Sequence, residues 1–529
     1  MSRVIEIYDV TLRDGAQGAG IKFSPDDQLR IVRELDAFGV SYIEGGQPAS
    51  NRKAADFFAR VRDIPLAHAK IAAFGSTCHP RKNVEDDANI KALLAAGTDV
   101  VTIFAKTSHR HVSEVLRTSL DRNLEIIRES VAYLRSENRR VFVDAEHFFD
   151  GYAEDSEYAL ATLECANRAG AAALILCDTN GGQLPSTIDS VTRAVAARLS
   201  GAALGIHTHN DSGCAVANAL AAVAAGAVQV QGTINGYGER TGNVNLSTVI
   251  PNLQLKMGYS VVSPAQLATL THLSHFVSEL ANMAPHDSDP FVGRDAFTHK
   301  GGMHADAVQK QKTTYEHIAP EQVGNRTRIT VSELSGRASL LYKAEELGIE
   351  LDRDGPEARQ ILERIKELES EGYEFEGADA SLELLVRKAR GQYRTFFTLR
   401  GYHVNVNQQP GPEMAVSEAT VKIELPDGAM IHTASEGHGP VDALNNALRK
   451  AIQDRYPELR DVHLEDYKVR ILDGRAATRA KTRVLIESRD ADATWSTVGV
   501  SENIITASYE ALVDSIEYKL LRTRGHEAH

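Results

Sequence analysis

Over residues 1–260, short apolar segments of β-strand type alternate with longer segments that have the spacing of amphipathic helices. Four helix-to-strand junctions repeat one pattern, in which an apolar helix end is followed by a glycine and then by a β-type run. These glycines are Gly39, Gly97, Gly170 and Gly226. A glycine in the left-handed conformation at such a place ends a helix and turns the chain towards the next strand.

The number of strands decides between two α/β folds. The predicted strands are Val4–Val10, Ser41–Gly45, Lys70–Ser76, Asp99–Ala105, Arg140–Ala145, Ala173–Asp178, Leu204–His209 and Val228–Ile234. Helices are predicted between them, notably over Pro25–Phe38, Val84–Ala96, Ser113–Ser136, Ser156–Ala169, Leu184–Leu199 and Cys214–Ala225. Eight strands that each precede a helix predict a (βα)8 TIM barrel. An open doubly wound sheet is the alternative, which the strand count disfavours.

The pattern changes after the eighth strand. Residues 261–390 are mostly helical, with a Gly- and Glu-rich break at Glu371–Asp379. From Gln392 onwards, a unit of strands followed by a helix occurs twice, which predicts an α+β domain. Its predicted strands are Arg394–Asn405, Ala419–Leu425, Ala429–Ala434, His463–Leu472, Thr482–Glu487 and Thr494–Val500, and its helices are Pro440–Ile452 and Asn503–Leu520. The predicted domains are therefore a barrel (1–265), a helical linker region (266–391) and a C-terminal α+β domain (392–529).

Composition and charge exclude several classes of protein. A hydrophobic content of 43% is that of a globular protein, and a net charge of −14 argues against a general nucleic-acid-binding protein. No charged-then-apolar leader precedes the first strand, and the most apolar run, residues 214–228, is shorter than the roughly 20 residues that span a bilayer. The four cysteines form no CxxC pair, which is typical of thiols in a reducing compartment. We therefore expect a cytoplasmic protein that binds neither nucleic acid nor a membrane.

Polar residues follow six of the eight predicted strands at the end where a TIM barrel carries its active site. After the seventh strand, His207 and His209 are two residues apart, so both imidazoles would point to one face. Taken alone, this pair is as compatible with a surface His-x-His as with a metal site. The repetition at other strand ends favours a functional site.

Three motifs at these strand ends identify a family resemblance. Thr11–Gly15 reads TLRDG, His207–Asp211 reads HTHND and Gly236–Asn243 reads GYGERTGN. Together they resemble the family of 2-isopropylmalate, homocitrate and citramalate synthases, which condense acetyl-CoA with a 2-oxo acid. The resemblance extends through Phe297–Asp306 and Tyr315–Ile318, beyond the barrel.

Within that family, two further stretches are most similar to the longer type of citramalate synthase. They are Tyr8–Gly18 and Asp144–Gly151. This similarity implies pyruvate as the acceptor and (R)-citramalate and CoA as products, in a route to isoleucine. It also implies a C-terminal regulatory domain inhibited by isoleucine, with 473–480 and 499–501 as the expected binding loops. A purely dimerising C-terminal domain is the alternative.

The condensation needs a Lewis acid at the ketone oxygen. A divalent metal held by Asp14, His207, His209 and Asn243 would keep two octahedral positions open for the ketone and one carboxylate oxygen of a 2-oxo acid. This mixed set of ligands is compatible with Mg²⁺, Mn²⁺ or Zn²⁺. Asp14 as a turn residue and Asn243 as a loop cap are the structural alternatives.

The family resemblance assigns the remaining chemistry. Arg13 resembles the catalytic arginine that stabilises the developing alkoxide, and Thr179 matches the residue that binds the substrate carboxylate. Glu146 and His304 are assigned jointly to proton transfer and enolate stabilisation, without a decision on which is the base, and Tyr315 assists them. In relatives the segment of His304 and Tyr315 reaches the neighbouring subunit, so a domain-exchanged homodimer is implied. Alternatively, His304 is an exposed linker residue and Tyr315 a packing aromatic.

Three other functions are compatible with part of this sequence evidence. A 2-isopropylmalate synthase, which takes 2-oxoisovalerate for leucine biosynthesis, would differ only in its acceptor pocket. A hydroxymethylglutaryl-CoA lyase is disfavoured, because its relatives resemble the barrel alone. A non-catalytic amino-acid sensor is disfavoured, because every expected ligand and acid–base residue is present.

Overall fold

The computed structural model describes residues 3–50, 52–331, 337–352, 355–407, 416–472 and 480–524. The chain divides into two compact units, residues 1–297 with 318–327 and residues 298–317 with 328–529. The first unit is a closed barrel of eight parallel strands in sequential order. The strands are β1 (Glu6–Asp9), β2 (Tyr42–Glu44), β3 (Lys70–Ser76), β4 (Val100–Lys106), β5 (Arg140–Glu146), β6 (Ala173–Asp178), β7 (Leu204–Thr208) and β8 (Gln229–Gly232). The predicted TIM barrel is confirmed.

Helices follow the strands of the barrel in the order that the pattern predicts. They are α1 (Pro25–Phe38), α2 (Arg52–Val61), α3 (Ala88–Ala95), α4 (Leu120–Ser136), α5 (Phe148–Glu154), α6 (Ser156–Ala169), α7 (Pro185–Arg198), α8 (Ala215–Ala225), α9 (Leu246–Pro251), α10 (Pro264–Leu267) and α11 (Leu270–Leu280). All four junction glycines have positive φ, between 71° and 129°, as predicted for residues that end a helix and start a strand.

Two of the predicted helices are shorter than the periodicity suggests. The segment predicted as one helix over residues 113–136 is divided, because Arg117 adopts a left-handed conformation (φ 54°) and Ser119 caps a new helix at Leu120. Similarly, the α-helix predicted from Val84 starts at Ala88, where the Asp87 carboxylate accepts the backbone N–H groups of the first turn. Capping side chains decide both helix starts.

Large side chains from several strands fill the barrel interior. Tyr8, Tyr42 and Phe142 form one fully buried cluster, with ring centroids 5.0–6.1 Å apart. The Tyr8 hydroxyl donates to Glu44 Oε2 at 2.7 Å, so the cluster ends in a polar contact. Because this layer closes the barrel below, the polar residues after the strands surround a cavity open at the carboxyl ends.

The second unit contains two antiparallel sheets of three strands, each followed by a helix. The strands are β9 (Thr298–His299), β10 (Arg328–Ile329), β11 (Thr398–Asn407), β12 (Val416–Glu424), β13 (Met430–Gly437), β14 (His463–Ile471), β15 (Thr482–Arg489) and β16 (Thr494–Ser501). The helices are α12 (Gly302–Lys310), α13 (Arg337–Glu346), α14 (Pro356–Glu371), α15 (Asp379–Ala389), α16 (Pro440–Ile452) and α17 (Ile504–Arg524). The duplicated strands-then-helix pattern is confirmed.

Amphipathic spacing explains the packing of this unit. Leu444, Ala447, Leu448 and Ala451 lie on one face of α16 and are buried in one cluster with residues of β12. Burying a leucine side chain contributes about 2 kcal/mol, so this face stabilises the layer substantially. The three-domain division of the sequence, with boundaries at 265/266 and 391/392, stays a prediction.

The two segments expected to bind isoleucine differ in what the structure describes. Residues 473–479 lie outside the described residues. The stretch 499–501 is part of strand β16 rather than a loop, and a Cβ on Gly499 would lie 2.1 Å from the carbonyl oxygen of Ala507 in α17. This glycine is therefore required by close helix–strand packing.

Two expectations from composition can be compared with the structure. All four cysteines, Cys78, Cys165, Cys177 and Cys214, carry free thiols. Among the residues that the structure describes, no helix is both long and apolar enough to cross a membrane.

Candidate metal centre and active-site cavity

Three side chains from opposite ends of the barrel sequence meet at its carboxyl-terminal mouth. Asp14 follows β1, His207 lies in β7 and His209 follows that strand, and all three are buried. The Asp14 Oδ2 atom lies 3.5 Å from His207 Nε2 and 4.0 Å from His209 Nε2. One ligand atom from each residue lies within 4.8 Å of the others. One carboxylate and two imidazoles at these distances can share a divalent ion.

A hydrogen-bonded chain orients His207. Gln231 of β8 donates from Nε2 to Asp144 Oδ1 at 3.0 Å, so its Oε1 atom faces His207 Nδ1, also at 3.0 Å. The imidazole therefore donates from Nδ1 to Gln231 and presents Nε2 to the centre. Such a partner fixes the tautomer and the ring orientation of a metal-binding histidine.

Asn243 is placed beside His209 by an isolated antiparallel bridge between their backbones. Its Nδ2 donates to the carbonyl oxygen of Tyr237 at 3.1 Å, which leaves Oδ1 as the free end of the amide. Oδ1 is buried and accepts no hydrogen bond from the described residues, and His209 Nδ1 is likewise buried without a partner. A buried amide oxygen without a donor suits a cation ligand, because leaving it unpaired costs about 1–3 kcal/mol.

Arg13 lies between two carboxylates. Its Nε donates to Glu44, and its Nη1 donates to Asp14 Oδ2 at 3.0 Å. The guanidinium carbon lies 4.0 Å from the centroid of the Phe74 ring, which covers one face of the group. Burial opposes the charge, but Glu44 and Asp14 hold the pKa of Arg13 above its ordinary value, so the guanidinium stays charged.

Burial and neighbouring charges shift the pKa values of the three clustered residues. Burial would raise the pKa of Asp14, but Arg13 and His207 hold it well below its usual range, so the carboxylate is ionised. Burial and the neighbouring His207 lower the pKa of His209 to about 4, so this imidazole is neutral at neutral pH. For His207, burial is outweighed by Asp14, which raises its pKa. A divalent ion would displace the proton from His207.

The cavity above the cluster has a volume of about 280 Å³. Its polar lining includes Arg13, Asp14, Asp144, Glu146, Thr179, His207 and His209. Phe74, Phe104 and Cys177 supply its apolar lining. The structure thus brings together, in one cavity, the expected residues Arg13, Asp14, Glu146, Thr179, His207 and His209.

Glu146 and Thr179 are held at neighbouring strand ends. Glu146 is the last residue of β5, and its carboxylate forms an ion pair with Lys106, the last residue of β4. The Thr179 Oγ1 atom accepts the backbone N–H of His147 at 2.9 Å. The Thr179 hydroxyl can therefore donate its own proton to a ligand in the cavity.

An ion pair braces the loop that carries Asn243. Arg240 donates from Nε and Nη2 to the two carboxylate oxygens of Asp211 at 2.8 and 2.9 Å, and Nη2 also donates to the carbonyl oxygen of Thr179. Glu239 is more distant, at 3.9 Å from Arg240 Nη1. This bidentate pair connects the loops after β6, β7 and β8.

His304 and Tyr315 belong to the second unit and contact each other there. Their ring centroids are 4.2 Å apart, and both side chains are exposed, Tyr315 to 50%. The Tyr315 ring therefore packs against a residue of α12 while half of its side chain stays exposed. The catalytic roles of both residues stay predictions.

Three comparisons with family models cover most of the chain in consecutive segments. An HMGL-like model matches residues 4–277, a homocitrate synthase post-HMGL domain-like model matches 291–373, and a LeuA allosteric (dimerisation) domain model matches 376–520. An (R)-citramalate synthase of Synechocystis sp. is 53% identical over 97% of this chain and 96% of its own length. The (R)-citramalate synthases of Aquifex aeolicus and Geobacter sulfurreducens are each 51% identical over 99% of both chains.

The chain belongs to the (R)-citramalate synthase family. It is accordingly an acyltransferase, and the resemblance that the three strand-end motifs indicate is confirmed. The relatives match over nearly their whole length, so the family assignment includes the segments beyond the barrel.

Sequence reasoning assigned no role to four residues of this citramalate synthase family site. They are Glu44, Lys106, Asp144 and Gln231. Glu44 contacts Arg13, and Lys106 contacts Glu146. Asp144 contacts Gln231, which in turn contacts His207. Each is a charged or amide side chain in or at the end of a barrel strand that is otherwise largely apolar. That position is a signal which a sequence analysis can use, although it does not identify the partner.

We expect Asp144 to make the stability of this citramalate synthase family member fall with rising pH. Burial and Glu44 raise the pKa of Asp144 to about 7, whereas an unfolded aspartate titrates near 4. The protonated carboxyl therefore stabilises the fold fully below pH 4, and this contribution is lost as the pH rises to about 7. Asp144→Asn should lack this loss, which is on the order of 4 kcal/mol.

Calorimetric melting in EDTA at pH 5, 6, 7 and 8 measures this effect. The melting temperature of Asp144→Asn should rise relative to that of the wild type from pH 5 to pH 7 and change little further at pH 8. The exposed Asp189→Asn serves as the control and should follow the wild type. Parallel curves for Asp144→Asn and wild type would show that Asp144 is not the titrating group.

Proposed function

We propose that this enzyme condenses acetyl-CoA with pyruvate to form (R)-citramalate and CoA. A proton leaves the acetyl methyl group, the resulting carbon attacks the ketone carbon of pyruvate, and water then cleaves the thioester. The observation that carries the proposal is the cluster of Asp14, His207 and His209 with Arg13 in one cavity. The 44–53% identity to full-length (R)-citramalate synthases supports the choice of substrates.

The residues present fit a divalent metal. Asp14, His207 and His209 would hold it, and the unpaired Oδ1 of Asn243 is proposed as the fourth ligand. Mg²⁺, Mn²⁺ and Zn²⁺ all accept such oxygen and nitrogen ligands. When bound, the ion supplies a Lewis acid for the ketone oxygen of the acceptor.

Arg13 and Thr179 orient the acceptor. The Arg13 guanidinium is charged and planar, so it can stabilise the negative oxygen that develops as the ketone becomes an alkoxide. Because Glu44 and Phe74 hold it from the side, this stabilisation needs little reorganisation. Thr179 is proposed to donate its hydroxyl proton to the acceptor carboxylate.

Glu146 and His304 are proposed to share the transfer of the methyl proton, and Tyr315 to assist. Glu146 lies in the cavity with the metal cluster, whereas His304 and Tyr315 are exposed side by side in the second unit. We propose that they act in a domain-exchanged homodimer, in which the partner subunit supplies this segment. The match to a LeuA allosteric (dimerisation) domain supports a dimer.

Two aromatic side chains line the cavity, and we propose that the acceptor methyl group binds beside them. The rings of Phe74 and Phe104 lie 5.6 Å apart and both line it. A methyl group is smaller than the isopropyl group of 2-oxoisovalerate, so this wall favours pyruvate over the acceptor of a 2-isopropylmalate synthase. A second cavity of about 300 Å³ shares Phe104 and is proposed to receive the acyl arm of acetyl-CoA.

Thiol release from acetyl-CoA with pyruvate, 2-oxoisovalerate or 2-oxoglutarate tests the proposal. We expect pyruvate to have the highest kcat/KM by about tenfold or more, because misfitting methyl groups cost about 1–3 kcal/mol each. A preference for 2-oxoisovalerate would assign a 2-isopropylmalate synthase instead. No thiol release with any acceptor would refute the condensation itself.

Feedback inhibition by isoleucine is proposed for the C-terminal α+β part. The support is the match of residues 376–520 to a LeuA allosteric domain. Adding isoleucine to the pyruvate assay should lower the rate, and leucine serves as the comparison. A rate unchanged by isoleucine would limit this part to dimerisation.

A further inference from the structure

We infer that Lys106 is a positioning residue that holds the Glu146 carboxylate in place and directs it into the active-site cavity. This inference rests on the proposed function, because it concerns the proton transfer assigned to Glu146. The ammonium group of Lys106 donates to Glu146 Oε2, and the two side chains are only 15% and 25% exposed. Among the described residues, Lys106 is the one side chain that hydrogen-bonds the Glu146 carboxylate.

Strand register produces this pair. Lys106 ends β4, Glu146 ends β5, and they are direct partners in the parallel ladder. Phe104 and Lys106 are two residues apart on β4, so both point to the cavity side, as do Asp144 and Glu146 on β5. Glu146 lines the active-site cavity, whereas Lys106 lines the second cavity, which shares Phe104. The Lys106 ammonium is 5.3 Å from the centroid of the Phe104 ring.

The backbone on both sides of the pair is fixed. The buried Asn123 of α4 donates from Nδ2 to the carbonyl oxygen of Lys106 at 2.9 Å. Thr107 Oγ1 donates to the carbonyl oxygen of Glu146 at 2.7 Å. Both side chains thus start from anchored positions, and a held base is more effective than a mobile one.

Glu146 lies among other acidic side chains in the active-site cavity. Asp14, Asp144, Glu146 and Glu239 all line it, so four carboxyl groups share a small volume. Arg13 uses its guanidinium for Glu44 and Asp14. Lys106 supplies a separate cation, and its ion pair fixes the position of the Glu146 carboxylate.

Steady-state kinetics of Lys106→Met, Lys106→Gln and Lys106→Arg with acetyl-CoA and pyruvate test the inference. Lys106→Met and Lys106→Gln should lower kcat by about a hundredfold, with the KM for pyruvate changed less than about threefold. Lys106→Arg keeps a cation and should recover most of the loss. Lys70→Met, at the opposite end of the barrel, is the matched control and should behave as the wild type.

The combination with Glu146→Gln separates positioning from a direct role. Glu146→Gln alone should lower kcat by about a hundredfold, and adding Lys106→Met should lower it no further, because Lys106 acts through Glu146. The double variant carries neither charge, so it also serves if Lys106→Met alone does not fold. A further large loss in the double variant would overturn the inference, since Lys106 would then touch the substrate itself.

Two results on the single variants would also overturn it. One is a kcat of Lys106→Met close to that of the wild type, and the other is Lys106→Arg no more active than Lys106→Met. In both cases the wild-type enzyme still condenses acetyl-CoA with pyruvate, so the proposed function stands. A wild type inactive with every 2-oxo acid would instead refute the proposed function.

Discussion

Asp14→Ala should lower kcat by about a thousandfold or more in the presence of excess Mg²⁺ or Mn²⁺. Asp14 is the one carboxylate in the cluster with His207 and His209, and its Oδ2 faces both Nε2 atoms. Without it, only His207, His209 and the proposed ligand Asn243 would remain to bind the ion, and Arg13 loses one of its two anionic partners. Thiol release from acetyl-CoA with pyruvate at varied metal concentration measures the effect.

The fold should survive this substitution. Arg13 keeps its ion pair with the fully buried Glu44, so no buried charge is left without a partner. Circular dichroism melting checks that the barrel is intact. Asp189→Ala, which removes an exposed carboxylate paired with Arg193 on α7, is the control and should keep wild-type activity. Normal turnover of Asp14→Ala would remove Asp14 from the proposed set of ligands.

Arg13→Met should lower kcat by about a hundredfold to a thousandfold. Methionine keeps much of the side-chain volume beside Phe74 but loses the charge that is proposed to stabilise the developing alkoxide. The loss should appear mainly in kcat, because the interaction strengthens only when the ketone becomes an alkoxide. Steady-state kinetics with acetyl-CoA and pyruvate provide both constants.

Arg13→Met also leaves the fully buried Glu44 without its cation, so the stability of this variant needs its own measurement. A buried carboxylate without a partner destabilises a protein by about 3–5 kcal/mol. The double variant Arg13→Met, Glu44→Gln removes both charges, should regain stability and should stay inactive. Recovery of activity in the double variant would mean that Arg13 has only a structural role. Arg193→Met is the matched control for loss of an arginine.

Two of the proposed site residues are thus held by side chains outside the motifs that identify the family. Glu44 holds Arg13, and Gln231 with Asp144 orients His207. Substitution of such supporting residues commonly lowers metal affinity or activity by 10- to 100-fold. The motifs alone therefore contain only part of the residues that form the site.

Local sequence patterns determined the order of strands and helices. Apolar alternation and helical spacing act within a few residues, so the eight barrel strands and the duplicated C-terminal unit could be predicted within a few residues of their observed ends. The four junction glycines acted in the same way, because a left-handed residue ends a helix whatever the distant chain does. Helix starts at Ala88 and Leu120 were less predictable, since single capping side chains decide them.

For the site, the sequence determined which strand ends carry polar chemistry, and the fold then implied that these residues meet at the barrel mouth. It did not determine which groups pair. Arg13 and Glu44 are 31 residues apart, Lys106 and Glu146 are 40 apart, and His207 and Gln231 are 24 apart. Only the register between neighbouring strands brings each pair into contact, and no local pattern records register. Tertiary structure alone therefore decided the protonation and orientation of the groups on which the proposed condensation depends.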